Sequence, residues 1–597
     1  MTDSATLVPP GRGTLLRWIG WFGIANGAIF ALAGLRYLLA FGIPETGIAM
    51  FYILLATVGH FALLGFLPLM LVLAPVALLI PRKSVVLTLG VVLMAFALTL
   101  LMLDGNIFAQ YRYHISLLTA EIFAPSTWLF AGIILVVALL FQSVLAGNVW
   151  QRVQTRRGRP GVWLAAGLVM VSLAAHGIYV WADAVGYMPI TSFTRFLPVY
   201  YPMKAKRKLA SLGWIDPQKV EQARLLQRAR APDAGQLRYP LAPLTCTAKD
   251  PLPDIQFILI DALRPDHVDP QHTPRIAKFA EEGQYFSNHY SGGNSSRMGI
   301  FSMFYGLPGT YWQAFHGVQM PPAVMDQLQA NNYDIEAFSA VGFTTPAEID
   351  RTVFAAVDPA HLHTSKAPDA NSDSTDAWEA WLQQRGASDR PFFSFLYFDP
   401  GKSPVTLSAD ELQKGELAVK YASYVKGIAE VDKLVDRILA RLDAREGKRD
   451  TLVIIASDHG YEFDDLGLGY TGHASNFGPY QLHSVLLMSW PGRAPQRFTN
   501  RSAHQDLPGT LLHDLLGCAN PYSDYSSGGN LFDAKSWEWI VAGSYDSYAI
   551  IEPDKIVVNN VGGFIELLGP DYRPDPALRL DAGRIEDVML EMRRFYK

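Results

Sequence analysis

The sequence predicts a bundle of five membrane-spanning helices followed by an α/β domain with a doubly wound, mostly parallel sheet. Apolar side chains make up 50% of the 597 residues and charged ones only 18%, and the apolar excess lies in the first third. In the second half, short apolar runs alternate with amphipathic stretches, which is the pattern of a parallel sheet covered by helices. We therefore expect a transmembrane domain over residues 1–182, an interfacial linker over 183–253 and an external α/β domain over 254–597.

Five apolar stretches are long enough to cross a bilayer, which requires about 20 residues each. They lie at residues 18–39, 52–80, 85–103, 128–145 and 162–181. Any one of them could be a buried helix of a soluble protein. Five in succession indicate a multi-pass membrane protein whose first span is also its targeting signal.

Basic residues predict the orientation of these spans, because Lys and Arg of short loops stay in the cytoplasm. On one side of the membrane, Arg112 is the only basic residue of the loops. The amino-terminal tail and the loops on the other side carry eight basic residues: Arg12, Arg17, Arg82, Lys83, Arg152, Arg156, Arg157 and Arg159. The amino terminus is therefore expected in the cytoplasm. Five crossings then place the α/β domain outside the cytoplasm, in the periplasm if the membrane is a bacterial inner membrane.

Charge and cysteine content restrict the partners and the compartment. A net charge of −5 and a pI near 6.3 give no reason to expect a nucleic-acid partner. Cys246 and Cys518 are the only cysteines. They could pair in an oxidising compartment, and the sequence alone leaves this open.

The linker contains a basic and aromatic segment just beyond the fifth span. Tyr200 and Tyr201 precede four cations. Aromatic side chains favour the membrane interface, and cations favour anionic headgroups. We call the four cations the collar and expect them to bind lipid, the alternative being a solvated basic helix: Lys204, Lys206, Arg207 and Lys208.

Metal-ligand side chains follow two apolar strands of the predicted sheet. The run IQFILI ends at Asp261, and TLVIIA is followed by Ser457 and the pair Asp458 and His459. Open α/β sheets bind ligands at the carboxyl ends of their strands, and this donor set suits Mg²⁺, Mn²⁺ or Zn²⁺. His473 follows a glycine-rich loop and could fold back over the same place. The alternative is an Asp–His pair that only caps a helix.

The segment SGGNSSRMGIF, residues 291–301, supplies two hydroxyl groups ahead of an apolar helix. Glycine allows close approach of the backbone, and a helix amino terminus favours phosphate. A serine bound to a metal ion there would be an activated nucleophile. These residues alone do not decide between Ser295 and Ser296, and an ordinary helix cap remains the alternative.

Six motifs in order over residues 254–517 resemble the alkaline phosphatase and sulfatase superfamily: ILIDALRPDH, MFYGLPG after the serine segment, SDHG, GHAS, VLLMSWPG and SAHQDLPGTLLHDLLG. The resemblance implies a sheet of that type and one divalent metal ion. It implies that Ser296 is the nucleophile and a metal ligand together with Asp261, Asp458 and His459. His473 and His504 are expected to face an anionic group of the substrate, beside Asn294 and Arg297.

Three departures from the superfamily pattern restrict the chemistry. Formylglycine sulfatases carry a cysteine and, four residues later, an arginine, where this chain has Ser296 and Ile300, so sulfatase activity is not expected. Ala262 replaces the second acid of two-metal members, which favours a single ion. Gly401 stands where a histidine is frequent, and Lys402 remains to meet a phosphate as a catalytic cation.

The membrane half, with AGLRYLLAFGIP, YILLATVGHFALL, GIYVWADA and YPMKAKRKL, resembles the PbgA/YejM inner-membrane family over essentially the whole chain. That resemblance implies binding of lipid A or cardiolipin, with Lys206 and Arg207 as the lipid-contacting pair. It also implies control of lipopolysaccharide synthesis through a cytoplasmic or membrane partner protein. The chain is therefore expected to be an inner-membrane metalloprotein that binds anionic lipid and regulates outer-membrane lipid homeostasis.

Two other functions remain open. The intact SDHG motif favours a metal-dependent phosphatase or phosphoryl-group transferase that acts on a lipid headgroup. A structural membrane anchor for a partner protein would leave that motif without a role. Bound metal together with hydrolysis of a phosphate ester distinguishes these possibilities.

Overall fold

The computed structural model describes residues 11–39, 47–111, 114–115, 125–155, 160–185, 190, 197–205, 208–209, 212, 237–248, 250–344, 346–386, 388, 390–445, 449–545, 547–560 and 565–596. The chain divides into two compact units, Met1–Gln236 and Leu237–Lys597. We call them the N-terminal unit and the C-terminal domain and describe each by itself.

Five long helices form the described part of the N-terminal unit: α1 (Arg12–Leu39), α2 (Gly47–Leu79), α3 (Lys83–Tyr111), α4 (Pro125–Thr155) and α5 (Pro160–Val185). All five are long and apolar enough to cross a membrane. Their number and order confirm the predicted spans. The helices extend past the apolar cores because polar residues at their ends continue the helical hydrogen bonding.

An eight-stranded sheet lies at the centre of the C-terminal domain, in the order β11-β2-β10-β7-β1-β6-β4-β5. Only β10 runs antiparallel to its neighbours, so the sheet is mostly parallel, as predicted. Its strands are β1 (Asp254–Ile260), β2 (Gln284–Phe286), β4 (Asp334–Ser339), β5 (Leu362–Thr364), β6 (Phe392–Phe398), β7 (Thr451–Ala456), β10 (Leu486–Ser489) and β11 (Gln496–Phe498).

Alternate side chains of the central strands enter two different cores, because successive residues of a strand point to opposite faces. Phe257 and Leu259 belong to one core, and Ile258 and Ile260 to the other. Both faces are therefore covered, which explains the continuous apolar runs. The helices of this domain are α6 (Pro274–Glu282), α7 (Ser296–Tyr305), α8 (Trp312–Val318), α9 (Ala323–Ala330), α10 (Ala370–Arg385), α11 (Ala409–Leu412), α12 (Glu416–Asp443), α13 (Pro479–Leu482), α14 (Asp506–Thr510) and α15 (Ala582–Glu591).

Three smaller sheets complete the domain. Two are strand pairs, β3 (His289–Tyr290) with β12 (Ser502–Ala503) and β8 (Glu462–Phe463) with β9 (Thr471–Gly472). The third is an antiparallel meander with its own apolar core: β13 (Ile540–Gly543), β14 (Tyr548–Ile551), β15 (Ile556–Asn559) and β16 (Ile565–Leu568).

The C-terminal domain begins at Leu237, earlier than the predicted boundary at Asp254. Leu237 pairs with Tyr596, and Cys246 forms a disulfide with Cys518. These contacts attach the last part of the predicted linker to the α/β domain. The sequence had left the pairing of the two cysteines open, and the structure contains it.

Candidate metal centre

Three neighbouring strands at the middle of the sheet each end in an aspartate. Strand β1 lies between β6 and β7, and all three are parallel. Continuing both registers past their last pairs aligns Asp399, Asp261 and Asp458 in one row. The carboxyl edge of the sheet therefore concentrates three acids at one place, which is the position where open α/β sheets bind ligands.

Two of these aspartates and His459 offer ligand atoms that all lie within 4.8 Å of one another. The Nε2 atom of His459 lies 3.5 Å from Oδ2 of Asp458 and 3.9 Å from Oδ1 of Asp261. The Nδ1 atom of the same ring lies 2.8 Å from the carbonyl oxygen of Gly460 and donates to it as N–H. With the proton on Nδ1, the lone pair of Nε2 is available to bind a metal ion. A backbone contact of this kind typically fixes that tautomer.

A second layer of hydrogen bonds orients the carboxylates. The backbone N–H groups of Ala262 and His459 both donate to Oδ1 of Asp458, each at 3.0 Å. The buried hydroxyl of Tyr397 lies 3.0 Å from Oδ2 of Asp261 and 3.3 Å from Oδ2 of Asp458. Burial and the neighbouring Asp458 raise the pKa of the Asp261 carboxyl.

These residues fit a divalent cation. The carboxylate of Asp458 is buried and that of Asp261 is 17% exposed, and within the described residues no lysine or arginine lies within ion-pair distance of either. Like charges at this separation repel one another unless a proton or a cation lies between them. Two carboxylate oxygens with one imidazole nitrogen are donors that suit Mg²⁺, Mn²⁺ or Zn²⁺.

Helix α7 brings a hydroxyl group to the same site. Ser296 is its first residue, and its Oγ lies 3.2 Å from Nε2 of His459. Ser295, the residue that caps the helix, has a fully buried Oγ with no hydrogen-bond partner among the described residues. The geometry thus brings Ser296 to the ligand cluster, together with the partial positive charge of the helix amino terminus.

The hairpin of β8 and β9 carries His473 back to the site, as the sequence analysis expected. Its ring centroid lies 4.5 Å from that of His459. The side chain is exposed, so it borders the site on the solvent side. Asn294, which precedes the serine pair, accepts a hydrogen bond from the N–H of Ala474 at 2.8 Å and thereby holds the end of this hairpin.

Four residues predicted to act on the substrate lie in different surroundings. The side chain of Asn294 is buried and donates to Asn476. Arg297 forms an ion pair of 3.0 Å with Glu348 and lies 4.2 Å from the ring centre of Trp312, so its charge is already compensated. Lys402 is exposed beyond the end of β6.

His504 is buried behind the site instead of lining it. Its Nδ1 lies 3.2 Å from the carbonyl oxygen of Gly299, and its Nε2 lies 3.1 Å from that of Ser457. Burial lowers the pKa of His504 to about 4, so the ring is neutral near pH 7. A neutral ring has one N–H group: Nδ1 can donate it to Gly299, and Nε2 then accepts from the hydroxyl of Ser484 at 3.1 Å.

Tyr397 and Asp399 were not predicted from the sequence. Tyr397 is fully buried and contacts both metal-ligand carboxylates, and burial raises the pKa of Asp399. The run FLYFDPGK contained both residues. Their proximity to Asp261 required the register of β6 against β1, which the sequence alone does not give.

Comparisons with known proteins agree with this architecture. A domain of unknown function, DUF3413, matches residues 12–246, and the sulfatase family matches residues 253–517. Inner membrane protein YejM of Salmonella typhimurium is 29% identical over 97% of both chains. An uncharacterized protein of Haemophilus influenzae is 26% identical over 96% of both.

Two solved structures resemble the C-terminal part of the chain. One is a protein of the alkaline phosphatase superfamily from Vibrio parahaemolyticus, with a TM-score of 0.45 and 16% identity, covering 59% of this chain and 88% of that one. The other is a phosphonate monoester hydrolase from Silicibacter pomeroyi, with a TM-score of 0.45 and 15% identity, covering 57% and 95%.

The two family matches cover residues 12–246 and 253–517 in the order that the fold shows, five apolar helices and then an α/β domain. The similarity to YejM extends over 97% of the chain. The chain is thus similar over nearly its whole length to an inner membrane protein, YejM, and its residues 253–517 match the sulfatase family.

Proposed function

We propose that the C-terminal domain is a metal-dependent phosphatase or phosphoryl-group transferase with Ser296 as its nucleophile. The observation that carries this proposal is the position of the Ser296 hydroxyl, 3.2 Å from Nε2 of His459 and beside the carboxylates of Asp261 and Asp458. A hydroxyl beside a set of metal ligands at a helix amino terminus is suited to attack a phosphate ester. Ser296 and Ile300 lack the features of a formylglycine sulfatase.

Asp261, Asp458 and His459 would hold one Mg²⁺, Mn²⁺ or Zn²⁺ ion, with Ser296 as a further ligand. Such an ion, when bound, withdraws charge from a phosphate oxygen and lowers the pKa of a coordinated hydroxyl. The amino terminus of α7 adds partial positive charge at the point where the ester group binds. Tyr397 fixes the carboxylate oxygens so that the ligand set needs little rearrangement on binding.

His473 and Lys402 are the groups on the solvent side of this site. Desolvation of the ring beside His459 lowers the pKa of His473 to about 4, so near pH 7 the neutral imidazole can donate an N–H group to a phosphate oxygen. The ammonium group of Lys402 follows the third aspartate of the row by three residues and can approach the phosphate as a mobile point charge. Both roles are testable by loss of turnover without loss of bound metal.

Hydrolysis of p-nitrophenyl phosphate by the full-length protein tests this function. With Mg²⁺, Mn²⁺ or Zn²⁺ added, we expect turnover that Ser296→Ala removes while leaving metal content unchanged or slightly reduced. Ser295→Ala is the matched control, because the neighbouring hydroxyl is buried and has no hydrogen-bond partner in the part of the chain that the structure describes. Activity in Ser296→Ala with none in Ser295→Ala would move the nucleophile by one residue, and activity in both variants would exclude a serine phosphatase.

We infer, as a second function, that the protein binds an anionic membrane lipid such as lipopolysaccharide or cardiolipin and regulates envelope lipid homeostasis. The supporting observation is an anchored segment after the fifth helix. Tyr200 stacks on His176 at 5.4 Å between ring centroids, and His60 contacts the carbonyl oxygen of Pro198 at 2.7 Å. The exposed Lys204 lies four residues after Tyr200.

The collar is only partly described by the structure. Lys204 and Lys208 are exposed, and Lys206 and Arg207 lie outside the described residues. Lipid binding by these four cations, a cytoplasmic or membrane partner protein and a periplasmic C-terminal domain are therefore proposals. They are supported by the distribution of basic residues and by the relationship to an inner membrane protein.

A further inference from the structure

A shallow depression with a volume of about 460 Å³ opens beside the candidate metal centre in the C-terminal domain. Arg264 and Asp266 follow Asp261 after the end of β1, and Phe463 and Asp465 belong to the hairpin that also carries His473. The same two chain segments therefore form the metal centre and this depression.

The ring of Tyr461 lies between the two places. Its centroid is 6.0 Å from that of His473 and 4.8 Å from that of Phe463. A ligand in the depression would therefore lie one aromatic side chain away from the proposed reacting group. This arrangement is that of a subsite for a neighbouring part of the substrate.

The floor of the depression is a buried arginine clamped by two carboxylates. Nε and an Nη of Arg264 donate to the two oxygens of Asp266 at 2.9 and 2.5 Å, and its other Nη donates to both oxygens of Asp465 at 3.1 and 3.0 Å. The side chain of Arg264 is 5% exposed, whereas those of Asp266 and Asp465 are 52% and 22% exposed. Solvent thus meets fixed carboxylate acceptors and not the guanidinium group.

Aromatic rings form the sides. Tyr421, on α12, lies edge-on to Phe463 at 5.2 Å between centroids, and Arg264 lies 4.7 Å from the ring centre of Tyr480. His267 connects floor and wall, with Nδ1 2.9 Å from Asp266 and Nε2 3.1 Å from the hydroxyl of Tyr421. The rings offer apolar faces, and the floor offers hydrogen-bond acceptors held in place.

We propose that this depression binds a hydroxyl-rich sugar ring that is uncharged or cationic. Sugar hydroxyls donate to fixed carboxylates, and the C–H face of a pyranose packs on an aromatic ring. A second phosphate or an acidic sugar is not expected to bind here. The guanidinium group of Arg264 already donates to Asp266 and Asp465, and these two carboxylates outnumber the one guanidinium charge. The inference rests on the proposed function only in placing that sugar next to the ester attacked by Ser296.

Binding of methyl glucopyranoside to the full-length protein in nanodiscs tests the proposal without turnover. We expect saturation-transfer NMR signals at millimolar sugar that weaken about tenfold in Asp266→Asn, which loses a charged acceptor, and roughly threefold to tenfold in Tyr421→Ala. Leu412→Ala, an exposed apolar residue outside the depression, is the control and keeps wild-type binding. Nanodiscs that contain a monoglucosyl lipid compete with the soluble sugar if a glycolipid headgroup is the source, and do not compete if a free saccharide is.

No sugar signal with the wild type, or equal signals from both variants and the wild type, overturns the proposal. Hydrolysis of p-nitrophenyl phosphate is measured on the same samples. Turnover without sugar binding contradicts the subsite alone. Sugar binding without turnover contradicts the phosphatase function and leaves the subsite intact.

Discussion

The carbonyl oxygen of Asp458 lies only 2.0 Å from the point that a Cβ atom on Gly299 would occupy. Helix α7 can therefore rest directly on the strand end that carries Asp458 and His459. The Oγ of Ser291 donates to the same carbonyl oxygen at 2.6 Å, which fixes the contact from a second side. The close approach of helix and strand brings the Ser296 hydroxyl to the metal ligands.

Gly299→Ala should therefore separate the nucleophile from its metal site. The added methyl group overlaps backbone and not a flexible side chain, so the helix must move, at a cost of about 1–3 kcal/mol. We expect folded protein with a lowered melting temperature and at least tenfold less turnover. The control is Gly317→Ala, where a Cβ meets no atom within 4 Å. Equal activity in both variants would show that the close contact has no role.

Asp458→Asn should remove the bound ion. The substitution keeps the shape of the side chain and takes away one of the two negative charges that offset dehydration of the cation. We expect about one divalent ion per wild-type chain and much less in the variant, measured by elemental analysis after dialysis. Asp410→Asn, at an exposed helix start, should keep the wild-type content. Equal metal content in the wild type and in Asp458→Asn would contradict the assignment of Asp458 as a ligand.

Tyr397→Phe should weaken metal binding while the fold persists. Its hydroxyl contacts both ligand carboxylates, and removal of such a supporting group typically costs 10–100-fold in metal affinity. The ring remains to fill the core. A competition titration with a metal-binding dye should show dissociation constants raised by about tenfold or more. An unchanged constant would mean that the carboxylates hold their positions without Tyr397.

Replacing Lys206 and Arg207 together by Ser should reduce the lipid captured on purification. Each cation near an anionic surface contributes on the order of 1 kcal/mol, so removing two should weaken lipid binding by roughly tenfold or more. Lipopolysaccharide would be quantified by mass spectrometry, with Lys414→Ser and Lys420→Ser together as the control for lost charge. Asp458→Asn should retain its lipid. The collar hypothesis fails if the double variant keeps its lipid or if the metal-site variant alone loses it.

Acid should destabilise the C-terminal domain through its buried neutral histidines. Burial lowers the pKa of His504 to about 4, and burial followed by the charge of Arg501 lowers that of His483 to about 4. An unfolded histidine titrates near 6.5, so between these values the unfolded chain binds protons that the folded chain does not. The contribution of these neutral histidines to the free energy of unfolding is fully present above about pH 6.5. It falls by up to about 3 kcal/mol per histidine as the pH approaches 4.

Thermal unfolding of the full-length protein at pH 7.5, 6 and 5 measures this effect. A chelator is included so that acid release of a metal ion does not contribute. We expect a steady fall in melting temperature that is smaller in His483→Gln. A melting temperature independent of pH over this range would contradict the neutral state of these rings.

The ligands Asp261, Asp458 and His459 were predictable because each lies within three residues of the end of a buried apolar run. Such a run predicts a parallel strand, and the residue after it lies at the carboxyl edge of the sheet whatever the order of the strands. Tyr397 and Asp399 were not predictable in the same way. Their meeting with Asp261 depends on which strand lies beside β1 and on the register between the two.

Arg297 and His504 show a different limit. Arg297 follows Ser296 directly, and His504 lies in one of the motifs shared with the superfamily, so both were expected beside the substrate. The partners that their side chains contact lie far away in the sequence. Glu348 compensates the charge of Arg297, and the ring nitrogens of His504 lie within hydrogen-bond distance of the carbonyl oxygens of Gly299 and Ser457. Such partners appear only when the loops are placed in three dimensions.

The pairing of Leu237 with Tyr596 means that the C-terminal domain starts and finishes at one place. Arg238 also donates its N–H to the carbonyl oxygen of Phe595 at 3.0 Å, and the Cys246–Cys518 disulfide lies a few residues further in. Because the two ends of the domain lie side by side, we expect it to tolerate insertion as a unit into a loop of another protein.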